Sequence, residues 1–256
     1  MERRTFLRSV AAGLACCAAS RATGVLADEH AHPHWSYEGE TGPQHWGGLA
    51  PEFDTCSIGT HQTPINLTGA VGDEAAAFEF DYRSVAMHIV NNGHTIQINP
   101  DAGCAITVDG ERYDLVQFHF HHPSEHLVDG RAFDMELHLV HKSAKSGLAV
   151  VGTFITAGEH NANLAPFLEA MPHSEGIVVD TEGQFDPAAL IPATQSFYRY
   201  TGSLTTPPCS EGLTWTVFRD PIEASPPQIR AFAALFPNNA RPVQKNTNPL
   251  VFFTGR

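Results

Sequence analysis

The chain has 256 residues, 42% hydrophobic and 17% charged, a globular composition rather than a disordered or fibrous one. Its 15 Lys+Arg against 28 Asp+Glu give a formal charge of −13, which speaks against nucleic-acid binding, because phosphate neutralisation needs a basic face. Beyond the N-terminus no segment reaches the roughly 18 consecutive apolar residues of a membrane span.

Arg3-Arg4 followed by Phe6-Leu7, an Ala-rich stretch from Ser9 to Ser20, and Val25-Leu26-Ala27 read as a twin-arginine export signal over residues 1–27, cut after Ala27. Cys16 and Cys17 raise a lipoprotein signal instead, but Gly13 stands three before Cys16, where a branched apolar residue belongs. Cleavage leaves residues 28–256 as one domain, more acidic still, in the periplasm or secreted. Three cysteines remain there, Cys56, Cys104 and Cys209. An odd number in an oxidising compartment permits one internal bridge, and spacing does not choose the pair.

The segment Asp28 to His34 carries His30, His32 and His34; it reads as a loose mature N-terminus, with stray metal binding as the alternative. Residues 28–70 show little period and read as irregular structure wrapped over a core. Short strand runs follow: Phe78 to Tyr82, Ala86–Val90, Thr95–Asn99, Ala105–Val108, Leu115–His121, Phe133–His141 and Leu148–Ile155. Asn91-Asn92-Gly93, Asp101-Ala102-Gly103, Asp109-Gly110, Asp129-Gly130 and Lys145-Ser146-Gly147 separate them, and the two Asp-Gly pairs suit tight hairpins. Short helices are expected over Asn161–Ala170 and Pro227–Phe236, and strand character returns at Tyr198-Arg199-Tyr200 and Leu213–Phe218. The fold class is mainly β, a single domain around a large, mostly antiparallel twisted sheet with a few short peripheral helices.

The chemistry concentrates in Leu115-Val116-Gln117-Phe118-His119-Phe120-His121. Strand side chains alternate, so Gln117, His119 and His121 share one face, and Val116, Phe118 and Phe120 share the other, which is ordinary core. The next strand places Glu136, His138 and Val140 on one face and Met135, Leu137 and Leu139 on the other. Paired antiparallel around Asp129-Gly130, the strands bring His138 beside the first two imidazoles. Three neutral imidazoles leave a fourth tetrahedral position open, the pattern of a catalytic zinc. Gln117 and Glu136 sit two residues before a ligand on the same face, placed to orient the rings. His122, His126 and His141 compete for the third position; His141 faces away from His138.

Gln117 to His121, Ser124-Glu125-His126, Glu136 to His141, and Gly202-Ser203-Leu204-Thr205-Thr206-Pro207-Pro208 with Trp215 after it together resemble the α-class carbonic anhydrases. So do Trp35-Ser36-Tyr37, Gly42-Pro43-Gln44-His45-Trp46, Asn91-Asn92-Gly93-His94 and Asn239-Ala240-Arg241-Pro242. The likeness runs in order over nearly all of the chain after the signal.

The resemblance implies a zinc enzyme that hydrates carbon dioxide reversibly to bicarbonate and a proton, through a zinc-bound hydroxide and a histidine shuttle. His119, His121 and His138 would hold Zn2+. Gln117 would support His119, Glu136 would support His138, and the backbone near Asn239 would support His121. Thr205 would accept a hydrogen bond from the hydroxide and pass its own proton to Glu125, and His94 would carry protons to buffer. Val140, Val150, Leu204, Leu213 and Trp215 match the apolar wall that receives carbon dioxide, Thr206 belongs to the same pocket, and Tyr37 matches a residue that orders solvent. The resemblance also implies a Cys56–Cys209 bridge beside Thr205, leaves Cys104 free, involves no nucleic acid and no membrane span, and allows a homodimer. A cupin-type iron or manganese oxygenase is the competing enzyme, since His119, His121 and Glu125 imitate its first motif, but its second motif is absent. A zinc-free binding module is disfavoured because all three ligand positions are His.

Overall fold

Runs of alternating apolar residues, punctuated by Gly, Asn and Asp, fold into strands, and the strands assemble around the segment richest in His and Phe. The computed structural model describes residues 33–72, 78–181, 183–194, 196–245 and 250–255; the expected export signal, His30 and His32 lie outside them. In chain order the strands are β1 (Asn66–Leu67), β2 (Val71–Gly72), β3 (Phe78–Asp81), β4 (Met87–Asn91), β5 (Ile96–Pro100), β6 (Ala105–Val108), β7 (Glu111–His121) and β8 (Leu127–Val128). They continue as β9 (Met135–Ser143), β10 (Leu148–Ala157), β11 (Val178–Asp180), β12 (Phe197–Ser203), β13 (Glu211–Phe218), β14 (Ile222–Ala224) and β15 (Phe252–Thr254). The helices are short: α1 (Trp46–Leu49), α2 (Thr55–Ile58), α3 (Ala165–Glu169) and α4 (Pro226–Leu235).

Among the described residues, thirteen strands form one large twisted sheet, whose main path runs β11-β4-β5-β7-β9-β10-β13-β12-β15-β2. Neighbours are antiparallel except where β10 runs parallel to β13 and β14, and β15 to β2. The long strands β7, β9 and β10 lie in the middle of this path. Phe118, Phe120, Leu137, Leu139 and Val151 from these strands join Phe167 of α3 and Ile229 and Phe232 of α4 in one buried cluster. Each such side chain stabilises the fold by about 1.5–3 kcal/mol when fully buried. A second cluster gathers Val150, Leu213, Trp215 and Tyr200.

Three local expectations are refined. Val116 was expected in the core with Phe118 and Phe120, yet it is 48% exposed, while Leu115 is buried. The register of β7 on β9 shifts between Leu115 and Gln117, so Val116 is the extra residue of a bulge and is turned outward. Asp109 and Gly110, at φ 49° and 81°, make the tight β6–β7 hairpin that Asp-Gly favours. Asp129-Gly130 instead closes a small turn bridged by Val128 and Arg131, inside the longer connection between β7 and β9. The antiparallel pairing of those strands therefore does not depend on that turn. The helix expected over Asn161–Ala170 shrinks to α3, because the Asn161 carboxamide accepts the Asn163 amide at 3.0 Å in a side-chain turn. Helix α4 starts at Pro226, one residue before the expected Pro227; Ser225 and Gln228 form a capping box there, with proline in the first turn.

Candidate metal centre

The pairing of β7 with β9 sets His119 directly across from His138 and His121 across from Glu136. The three rings converge, with centroids 4.9 Å apart for His119–His121, 4.5 Å for His121–His138 and 5.4 Å for His119–His138. One nitrogen from each lies within 4.8 Å of the other two.

The opposite nitrogen of every ring is already held. His119 Nδ1 is 2.8 Å from Gln117 Oε1, His121 Nδ1 is 2.7 Å from the Asn239 carbonyl, and His138 Nε2 is 3.0 Å from Glu136 Oε1. These acceptors fix each tautomer with a proton on the held nitrogen, so the lone pairs left toward the centre are on His119 Nε2, His121 Nε2 and His138 Nδ1. His121 Nε2 is buried and has no hydrogen-bond partner. An orphaned buried acceptor beside two others is costly without an occupant. The all-nitrogen donor set suits a zinc-like ion, so the residues fit the metal expected there. Burial pushes all three imidazoles below the ordinary value, His121 to about 4, so they are neutral and ready to ligate near pH 7.

The competing histidines are otherwise engaged. His126 bonds Glu136 through Nδ1 at 2.7 Å and the Tyr200 hydroxyl through Nε2 at 2.7 Å. His122 Nδ1 lies 2.9 Å from the Pro237 carbonyl, and His141 is buried against Tyr82 with Nε2 2.6 Å from its hydroxyl. Glu136 does more than its spacing suggested: its Oε2 also accepts the amides of Glu125 and His126, both at 2.9 Å. Burial raises its proton affinity, but His126 and His138 outweigh that and hold the carboxylate well below the usual range. Gly152 lies across from His138, where a Cβ would come within 3.2 Å of Glu136 Oε1.

Around the centre, Thr205 is buried beside Glu125 and favours its charged form. Glu125 Oε1 accepts the Arg241 amide at 2.7 Å, and Oε2 stands 3.6 Å from His121 Nε2 and 3.8 Å from His138 Nδ1. Burial pushes the Glu125 carboxyl up to about 7. A small cavity of about 90 Å³ is lined by Trp35, Tyr37, His94, His119, His121 and Thr206 among others. Trp215 meets the His138 ring edge-on at 4.9 Å, within a cluster that also holds Val140, Val150, Leu204 and Leu213. Cys56 and Cys209 form a disulfide, and Cys104 is a free buried thiol bonded to the Arg83 carbonyl. Trp35 and Arg241 carry the family likeness, but the sequence assigns neither a function of its own. The Trp35 stack on His94 and the Arg241 bonds to Glu125, Gln62, Thr63 and Cys56 join residues far apart in the chain and leave no local pattern.

The profile of eukaryotic-type carbonic anhydrase matches residues 41–256. A carbonic anhydrase of Nostoc sp. is 46% identical over 224 residues, 85% of each chain, and one of Neisseria gonorrhoeae is 40% identical over 94% of each. The α-carbonic anhydrase of Thermovibrio ammonificans, solved with the inhibitor sulfanilamide, superposes with a TM-score of 0.83 at 42% identity, covering 86% of this chain and 99% of the other. A sheet-borne centre of three oriented imidazoles and a family match over residues 41–256 thus agree: the chain belongs to the α-class (eukaryotic-type) carbonic anhydrase family and is an enzyme of that class.

Proposed function

We propose that the chain catalyses the reversible hydration of carbon dioxide to bicarbonate and a proton, with Zn2+ held by His119 Nε2, His121 Nε2 and His138 Nδ1. The observation that carries this reading is the convergence of three lone pairs whose opposite nitrogens all have acceptors. Bound zinc supplies Lewis acidity, which makes a water acidic enough to yield a nucleophile at neutral pH.

The rest of the work belongs to the chain. Thr205 commits its proton to Glu125, so only its oxygen lone pairs face the nucleophile, and they fix its direction. Positive charge at the centre, beside Glu125 Oε2, favours the ionised carboxylate that this needs. Val140, Val150, Leu204, Leu213 and Trp215 present an apolar wall to an apolar substrate, and Thr206 borders the same space. After each turnover a proton must reach solvent. His94 lines the cavity that reaches His119 and His121, and burial draws its pKa below the ordinary value. Imidazole is the side chain whose ordinary titration range spans neutral pH, so it can take a proton and pass it to buffer, and the lowered affinity favours the release. Tyr37 helps to order the intervening water. Burial and the nearby Glu125 charge hold its phenol protonated, well above the usual range.

The N-terminal reading completes the proposal: residues 1–27 are a twin-arginine signal, and residues 28–256 act in the periplasm or outside the cell. The Cys56–Cys209 disulfide supports an oxidising compartment, and among the described residues no helix is long and apolar enough to cross a membrane. The oxygenase alternative falls with the family assignment.

The test is metal analysis paired with a stopped-flow hydration assay on the exported protein. The expected result is about one zinc per chain, loss of activity on chelation or in His119→Ala, and recovery of the wild type on adding zinc back. Full activity in metal-free protein overturns the proposal.

A further inference from the structure

The loop that carries Thr205 leaves the sheet at Ser203 and returns at Glu211. Both ends attach to the dipeptide Gln62-Thr63. Thr63 exchanges two bonds with Ser203, its amide donating to Ser203 Oγ and its Oγ1 accepting the Ser203 amide, each at 2.9 Å. Gln62 Nε2 donates to the Cys209 carbonyl at 3.0 Å and to Glu211 Oε1 at 2.9 Å. Behind this dipeptide stands Arg241, 2% exposed. Its Nη1 donates to the Thr63 carbonyl at 2.7 Å, and its Nη2 to Gln62 Oε1 at 2.9 Å and to the Cys56 carbonyl at 3.1 Å. The guanidinium lies over the Trp46 ring at 5.5 Å. The backbone amide of the same residue donates to Glu125 Oε1 at 2.7 Å.

Thr205 and its acceptor Glu125 are therefore referenced to one frame: the loop through Gln62-Thr63, the carboxylate through the Arg241 amide. We propose that Gln62 and Arg241 are positioning residues for the Thr205–Glu125 contact, setting the direction in which Thr205 presents its lone pair. This deepens the proposed function and rests on it. The planar fork of Arg241 is suited to the task, because it bonds Thr63, Gln62 and Cys56 at once, which a point charge on a flexible stem does not reproduce. A misplaced hydrogen-bond partner in a reacting site costs rate without costing the ion.

The experiment is a double-mutant cycle in the full-length enzyme. Gln62→Met keeps the length of the side chain and removes its bonds; Thr205→Ala removes the group it is said to place. Gln62→Met is expected to retain one zinc per chain and to lose roughly tenfold in kcat/KM. The same substitution made on Thr205→Ala is expected to cost nothing further, because its effect passes through Thr205. In metal-free protein, amides of residues 204–211 exchange faster in Gln62→Met than in wild type. The proposal is overturned by an unchanged kcat/KM, by loss of zinc, by unchanged exchange, or by a loss that persists in full on the Thr205→Ala background. If Gln62→Met does not fold, Arg241→Lys enters the same cycle and is judged by the same outcomes. Wild-type activity that survives zinc removal overturns the parent reading; an additive cycle in a zinc-dependent enzyme overturns only the positioning role.

Discussion

The imidazole of His94 lies flat on the indole of Trp35, with ring centroids 3.6 Å apart and planes 7° from parallel. The stack rests the ring on the aromatic lining of the cavity that also reaches His119 and His121. Its loop is held in place: the His94 amide donates to Asn92 Oδ1 at 3.0 Å, and its carbonyl accepts from Asn239 Nδ2 at 3.1 Å. If the ring relays protons, His94→Ala slows turnover in weak buffer, leaves kcat/KM for carbon dioxide nearly unchanged, and recovers when imidazole is added. Turnover indifferent to buffer in both proteins removes His94 from that role.

Thr205→Ala should separate orientation from metal binding. The variant is expected to keep its zinc and to lose about 10²-fold in kcat/KM, the scale on which a single preorganised hydrogen bond acts at a reacting centre. Zinc stoichiometry measured on the same sample decides the matter. A drop in bound metal parallel to the drop in rate would mean that Thr205 supports the ligands.

Glu136→Gln tests the orientation of His138. The carboxylate accepts from His138, from His126 and from two backbone amides, and a carboxamide must turn one NH2 toward donors. Zinc affinity should weaken about 10- to 100-fold, as for other residues that orient a ligating imidazole. Competition with a chromophoric chelator measures it, and an unaltered dissociation constant contradicts the assignment.

His141 supplies a pH signature away from the metal. It is fully buried, and burial pulls its pKa to about 3. The unfolded chain takes up this proton below about 6.5, whereas the folded one resists until about 3. The stability linked to His141 is therefore complete above about 6.5 and is lost as pH falls, at up to about 1.4 kcal/mol per pH unit. Urea unfolding of metal-free protein between pH 6.5 and 4 should decline less steeply in His141→Phe than in wild type, by at most about 3.5 kcal/mol at the acid end. Equal slopes would mean that the ring is protonated in the fold.

The sequence exposed the centre more clearly than its surroundings. Period-2 alternation put Gln117, His119 and His121 on one face of β7 and Glu136 and His138 on one face of β9, and that logic depends only on strand geometry. It misjudged Val116, because a bulge changes the phase of alternation without any residue that announces it. It also treated Asp129-Gly130 as the link between β7 and β9, since the turn chemistry is right even though the turn closes elsewhere. The short strands β2, β11, β14 and β15 escaped notice, having too few residues to show a period. Family likeness supplied the Cys56–Cys209 bridge, which spacing left undetermined. Arg241 and Gln62 bond mainly to backbone carbonyls and to each other across the fold, and no spacing rule describes such contacts.

The register that sets His119 across from His138 has a further consequence. Sliding β9 by one residue along β7 would turn His138 to the opposite side of the sheet and bring Leu137 or Leu139 toward the ion. A cation held there as proposed would act as a clasp on strand alignment, favouring the aligned register over misaligned isomers by its binding energy. Metal uptake during refolding then reports correct threading of the central strands, before any catalysis is assayed.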